Sequence, residues 1–443
     1  MYGRSAPALA ATVLLAAAAH AQTPDTFPTP NLPSRPTITL ADAIRLAETA
    51  QPSVVQAQAQ VRSTAADVRS ARGAYWPTLN FNASGTEAYN ATAGRVDPTT
   101  NQVLTGRSTG SAAASLSASL DLFTGFRRGA ETRAARASNE AASAGLINAR
   151  YQQRLTTTQQ FLDALAAAQL VSVRLASVRR AEAQLRTAIS KLQVGTATRS
   201  DTLRSRVTLG TAQLDLTTAL SDLATAEAGL ARLIGRPGRV AAADDSAYYR
   251  TQPVDTTRLR ADAEAGAPQV QSAAASARAA RASVSAARSA YWPSLTLNGS
   301  TGFTGTRSQG YTPFNASQAT LRLSWGLFDG FTREARIAQQ EASADVADAQ
   351  SADAVRQVDA AVTSGLAQLD AAQTRIGITL ANVAAATEDL RVQQERYRVG
   401  VATIVDLLTS QEALGQAEVD VVTARFDYLR AKATLEALVG HEL

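Results

Sequence analysis

The stretch Arg72-Gly73-Ala74-Tyr75-Trp76-Pro77-Thr78-Leu79-Asn80-Phe81-Asn82 returns, nearly unchanged, as Arg288-Ser289-Ala290-Tyr291-Trp292-Pro293-Ser294-Leu295-Thr296-Leu297-Asn298. In both copies an Ala/Arg/Gln-rich helical pattern runs into period-two alternation, and a proline stands at the seam where a helix must stop. Helix becomes strand there, twice. Further pairs extend the match. Leu122-Phe123-Thr124-Gly125-Phe126 answers to Leu327-Phe328-Asp329-Gly330-Phe331, and Leu233-Ile234-Gly235 answers to Leu438-Val439-Gly440. Val194-Gly195-Thr196-Ala197-Thr198-Arg199-Ser200-Asp201 answers to Val399-Gly400-Val401-Ala402-Thr403-Ile404-Val405-Asp406. The chain is a duplication. Trp76 and Trp292 lie 216 positions apart and the later pairs 205, so the first copy holds 11 extra residues between its Tyr-Trp-Pro and its Leu-Phe-x-Gly.

A chain of 443 residues has room for two or three ordinary domains, but the duplication argues for one architecture made of two halves. Residues 1–21 read as a secretory signal peptide: Arg4, an apolar run from Ala8 to Ala19, then Ala19-His20-Ala21 as a small-x-small cleavage site. Residues 22–38, with Pro24, Pro28, Pro30, Pro33 and Pro36, read as an extended lead-in outside the folded core. The first repeat is then 39–235, the linker 236–255 and the second repeat 256–443.

The residue inventory excludes several classes. Without cysteine, no disulfide, thiolate metal site or acylated cysteine anchor is expected. Of two histidines, His20 leaves with the signal and His441 sits near the end, so a hydrolytic triad or His-ligated metal has almost nothing to be made from. No cofactor and no enzyme activity are expected. The basic excess is mild and scattered along helices, which disfavours nucleic acid as a partner. After the signal no run of 18 apolar residues occurs, so no membrane-spanning helix is expected.

Thr39 followed by Asp42 reads as a near capping box that opens the first helix, with Pro52 kinking or dividing it and Pro268 doing the same in the second copy. Past Pro77, Leu79, Phe81 and Ala83 alternate with Asn80, Asn82 and Ser84; later Leu116, Ala118, Leu120 and Leu122 alternate with Ser115, Ser117, Ser119 and Asp121. The second copy offers Leu295 and Leu297, then Leu321, Leu323, Trp325 and Leu327. Aromatics stand at all four helix-strand junctions: Tyr75 and Trp76, Phe123 and Phe126, Tyr291 and Trp292, Phe328 and Phe331. One apolar face bounded by an aromatic girdle fits an outer-membrane β-barrel in contact with lipid. Four strands cannot close a barrel, and lipid forbids open edges, so several copies must pool their strands. Loops of about 86–112 and 303–318 are expected to face outward.

From Arg127 to Leu192 no proline interrupts a helical composition, and Thr332 to Arg398 is its twin. At 1.5 Å per residue each helix would be roughly 100 Å long, which suits a coiled coil or a ring of helices rather than a globular core. Gly195 and Gly400 supply the turns at which these helices double back, with Asp201 and Asp406 near the start of the returning helices. The competing reading is a periplasmic coiled-coil adaptor, which gives no reason for aromatic-bounded alternating strands.

With these motifs in this order, the sequence resembles the TolC family of outer-membrane efflux and secretion channels. The resemblance covers the Thr39-Leu40-Ala41-Asp42-Ala43 opening, the Tyr-Trp-Pro-x-Leu seams, the Leu-Phe-x-Gly-Phe exits and the two Val-Gly-x-Ala-Thr-x-x-Asp turns. It implies a mainly α fold with a small membrane β part: a long α-helical barrel plus four β-strands per chain, pooled into a 12-stranded β-barrel in a homotrimer. It implies an outer-membrane location reaching into the periplasm, and partners in a periplasmic adaptor, an inner-membrane ABC or RND-type transporter and outer-membrane lipid. It also implies residue roles: Asp406 in a pore selectivity ring, Asp201 and Tyr397 at a periplasmic gate, and Val194, Gly195, Val399 and Gly400 at adaptor-docking turns. Ala402 stands where the best-known members carry a gate-latching arginine, and Thr409 where they carry a second ring aspartate; Arg199 and Arg398 are the residues available as substitute latches.

Overall fold

Thr39 opens the folded chain as a helix N-cap, its Oγ1 accepting from the Asp42 amide at 3.2 Å, and α1 (Leu40–Ala50) follows. The computed structural model describes residues 35–441 other than 91–94, 97–98, 100–102, 105–106, 246–255, 308–309 and 313. The expected signal peptide, most of the lead-in and the second half of the linker lie outside the described residues. Pro36 onward forms one unit by its contacts.

Pro52 divides rather than kinks: α1 stops, Gln51 is extended, and α2 (Pro52–Gly73) starts with the proline in its first turn, where a missing N–H costs nothing. In the second copy α5 (Thr256–Gly266) and α6 (Pro268–Arg288) repeat this division. The long helices are α3 (Arg127–Gln193) and α7 (Thr332–Arg398), of 67 residues each and about 100 Å long. They return as α4 (Arg199–Leu233) and α8 (Ile404–Val439). Gly195 and Gly400, at φ +79° and +83°, take the left-handed conformation that ends the long helices. Each long helix pairs closely with its return helix, and α3 also packs against α6 and α8.

Four strands form one antiparallel sheet in the order β2 (Thr78–Asn90), β5 (Arg107–Phe123), β7 (Ser294–Thr306), β8 (Phe314–Ser324). The junction of the two copies is therefore β5 against β7, with Leu120 opposite Leu297 and Ser119 opposite Asn298. The 11 extra residues of the first copy accompany a small hairpin, β3 (Arg95–Val96) with β4 (Val103–Leu104), and a longer β5.

Three sequence expectations change here. The outward loops are shorter than expected, because β2 runs to Asn90, β5 starts at Arg107 and β7 runs to Thr306. The alternation in β5 breaks at a bulge between Asp121 and Phe123, so Phe123 and not Leu122 sits opposite Leu295. β8 ends at Ser324, short of Trp325 and Leu327, because side chains take over the backbone's bonding there. The Trp325 indole donates to the Tyr291 carbonyl at 3.2 Å, and Arg333 Nη1 donates to the Gly326 carbonyl at 3.0 Å.

The main core lies around the middle of α3 and the end of α8, with Phe161, Leu230, Phe426 and Leu435 fully buried. Ile38 and Val240 are buried in it, and β1 (Thr37–Ile38) pairs in parallel with β6 (Ala241–Ala242). The last residues of the lead-in and the first part of the linker thus belong to the folded core. Among the described residues α3 alone contains a stretch apolar enough to cross a membrane by length and composition. Its large apolar side chains Phe161, Leu162 and Leu165 are buried in this core, so helix packing accounts for that hydrophobicity.

Candidate functional site

The turn end of the long helices gathers the expected ring, gate and docking residues. Thr198 and Thr403 are N-caps of α4 and α8, and each forms a complete capping box with the aspartate three residues on. The Thr198 amide donates to Asp201 Oδ2 at 2.9 Å while Thr198 Oγ1 accepts from the Asp201 amide at 3.2 Å. At Asp406, Oδ2 accepts from the Thr403 amide at 2.9 Å and from Thr403 Oγ1 at 2.7 Å. Those bonds, the hydroxyl's first, hold the Asp406 carboxyl below its ordinary range, and Arg396 adds a smaller push in the same direction.

Tyr397 is buried among Leu390, Ile404, Leu407 and Leu414. Its hydroxyl is buried with no hydrogen-bond partner; burial, and then the negative charge of Asp201, push its pKa up. Asp201 and Tyr397 are therefore neighbours in electrostatic terms without a hydrogen bond between them. The contact that sequence reading missed is Lys191, in the last turn of α3. Its Nζ donates to the Tyr397 carbonyl and lies 4.1 Å from the centre of the Tyr397 ring. Only two lysines occur in the chain, Lys191 and Lys432, and a lone lysine just ahead of a turn was the available signal. Arg398, one of the two substitute latches, is held by Glu395 of its own helix at 2.8 Å. Ala402 packs, half-buried, against the Tyr397 cluster.

Val194 and Val399 are exposed at the two turns, and Val401 beside them is exposed as well. A groove of about 740 Å³ lies between α3, α4 and α8, with Leu203, Val207 and Val405 among its apolar walls and Arg204 and Glu412 among its charged ones. Among the described residues no group of three or more His, Cys, Asp or Glu is placed to hold a metal.

At the other end the junction aromatics pack in pairs. Phe123 meets Phe126 edge-on at 5.4 Å, Phe126 meets Trp292 at 5.6 Å, and Phe328 meets Phe331 at 5.6 Å. Arg128 lies over Tyr75 and Arg333 over Tyr291, at 4.8 and 4.4 Å from the ring centres. Trp76 is left mostly exposed. A second aromatic level stands at the far ends of the strands, in Tyr89, Phe303, Tyr311 and Phe314, all exposed. Sequence reading missed it because it had assigned those residues to loops.

A sheet with one apolar face and aromatics at both levels, carried on paired 67-residue helices, defines a membrane channel built partly of strand and partly of helix. The family model for outer membrane efflux proteins matches residues 43–236 and again 259–441, one match per repeat. The chain belongs to that family. The outer membrane efflux protein BepC of Brucella suis is 27% identical over 394 residues, spanning 86% of this chain and 82% of that protein. Outer membrane protein TolC of Escherichia coli is 25% identical over 316 residues, 67% of this chain and 64% of TolC. Among solved structures, the outer membrane protein VceC from Vibrio cholerae superposes with a TM-score of 0.74 at 19% identity, covering 91% of this chain and 96% of that one. This is an outer-membrane channel protein and not an enzyme; family membership also removes the adaptor reading.

Proposed function

We propose that three copies of the chain assemble into a 12-stranded β-barrel continued by a helical tunnel, and that the assembly is a passive exit duct. The single observation that carries this is the sheet: four strands, one apolar face, two unpaired edges, and β5 and β8 leading into helices about 100 Å long. Energy comes from partners, an inner-membrane ABC or RND-type transporter joined through a periplasmic adaptor. The duct serves a tripartite efflux pump ahead of type I secretion, since the relative BepC is named an efflux protein.

Within the duct, Asp406 contributes to a ring that focuses negative potential and favours cations. Asp201 and Tyr397 belong to the gate, with Lys191 tying the end of α3 to the end of α7. Val194, Gly195, Val399 and Gly400 form the docking turns, whose exposed valines offer apolar contact to an adaptor helix. Tyr75, Trp76, Tyr291, Trp292 and the junction phenylalanines anchor the periplasmic interface of the outer membrane. Cells lacking the protein are expected to accumulate small dyes and drugs faster than cells that carry it. Unchanged accumulation together with loss of an exported protein would replace efflux by type I secretion.

A further inference from the structure

Paired residues of an antiparallel sheet lie on the same face, so the register traces each face of the sheet across all four strands. One face joins Leu79 to Ala118, Phe81 to Leu116, Leu120 to Leu297 and Leu297 to Leu321. The other joins Asn80 to Ser117, Asn82 to Ser115, Ser119 to Asn298 and Asn298 to Thr320. In the channel reading above the first face meets lipid, which leaves the second to line the lumen.

Four charged residues lie on these four strands: Glu87, Arg107, Asp121 and Arg322. Arg107 belongs to the end far from the helices, opposite Asn90. Glu87 falls on the apolar face with Phe81 and is tied to Arg307 at 2.9 Å. Asp121 and Arg322 share one row of the polar face, next to the helix junctions, because each is paired with Thr296 from its own side. Their charges are not equally spent. Asp121 accepts from Thr296 Oγ1 at 2.9 Å and has Arg127 Nη2 at 3.9 Å. Arg322 is exposed and, among the described residues, makes no hydrogen bond or ion pair in its own chain. It stands on an edge strand, and the opposite edge, β2, holds a single acid, Glu87, on the apolar face. A neighbouring copy therefore brings Arg322 no carboxylate from that strand. Each copy adds one uncompensated positive charge to the polar face close to the junctions.

Building on the channel reading above, we propose that Arg322 lines the lumen of the barrel, and that the arginines of the assembled copies form a positive belt that draws the carboxylate, sulfonate or phosphate groups of cargo through the strand part of the duct. A guanidinium stays charged at any working pH and presents a fork of donors to such groups. The belt and the Asp406 ring stand at opposite ends of α7, about 100 Å apart. The screening length is about 10 Å in 0.1 M salt, so the two act separately, as filters of opposite sign in series.

The chain has no cysteine, so one introduced thiol reads the placement. In Arg322→Cys channels a charged, water-soluble thiol reagent is expected to change the single-channel conductance in discrete steps, whereas Leu323→Cys, on the apolar face, is expected to give none. No step at position 322 would overturn the lumenal placement. The charge is read from reversal potentials in a KCl gradient near 0.01 M, where the screening length grows to roughly 30 Å. Arg322→Ala is expected to raise the cation-over-anion permeability ratio about twofold or more, Arg322→Lys to keep the parent's ratio, and the difference to vanish near 1 M salt. An unchanged ratio in Arg322→Ala would overturn the proposal, as would an Arg322→Lys protein that behaves like Arg322→Ala, since charge is then not the cause. A parent protein that conducts no ions at all would instead overturn the channel reading.

Discussion

Asp406 closes the capping box of α8 with the same carboxylate that a pore ring would present to ions. An amide at this position keeps an acceptor for the Thr403 N–H while removing the charge, so Asp406→Asn is expected to retain the fold and weaken cation preference, read as a shifted reversal potential in a salt gradient. The cap has its own pH dependence. Its carboxyl titrates below the ordinary range, so the cap contributes stability above about pH 4 and loses it as pH falls through the folded value. Thr403→Ala should speed hydrogen exchange in the first turn of α8 about fivefold at neutral pH, with the difference shrinking in acid. Sequence reading put Asp201 and Asp406 near the starts of the returning helices, while the capping boxes that Thr198 and Thr403 form with them emerge only in the structure. The Lys191 contact was not legible either, because its hydrogen-bond acceptor is a backbone carbonyl 206 positions away, and every residue type has one of those.

At the scale of elements, the helices were readable nearly to the residue, and the strands were not. Alanine-rich helices with proline starts and glycine stops carry their boundaries in the sequence, as Pro52, Pro268, Gly195 and Gly400 do. The outer half of the sheet carries no such signal. Ser84, Gly85, Gly110 and Ala112 are small on both faces, so period-two alternation vanishes although pairing continues through Glu87 opposite Gly110. The strand exits hold backbone strain, with Phe126 and Phe331 both at φ +66°. Before the first of them, Gly125 sits at φ +61°, and a Cβ there would collide with Trp292 Cβ. Gly330 shares the backbone conformation, yet a Cβ there meets nothing within 4 Å in its own chain. Gly125→Ala should therefore destabilise the single chain by more than the roughly 1–2 kcal/mol of left-handed strain. Gly330→Ala should show that strain alone, so comparing the two denaturant midpoints separates strain from the clash with Trp292. Phe161→Ala, in the main core, should cost about 3–5 kcal/mol in the same unfolding experiment.

For the whole molecule, two features that look incomplete in one chain have one explanation. The sheet has unpaired edges and a lipid-like apolar face, and the long helix α7 is largely exposed along its length. Lipid tolerates neither open edges nor unsatisfied backbone, so the chain makes physical sense only as part of a closed ring. This much was legible from the duplication and the aromatic junctions alone. What sequence could not supply was the side-chain pairing between the two copies, because Arg180 and Glu418 face each other only once α3 and α8 are docked. The most direct test of the channel itself is conductance of the detergent-extracted protein in a planar lipid bilayer. Discrete, cation-preferring steps that lose their preference in Asp406→Asn are the expected result. A folded, assembled protein that gives no steps, even with Lys191→Ala to loosen the turn end, would contradict it.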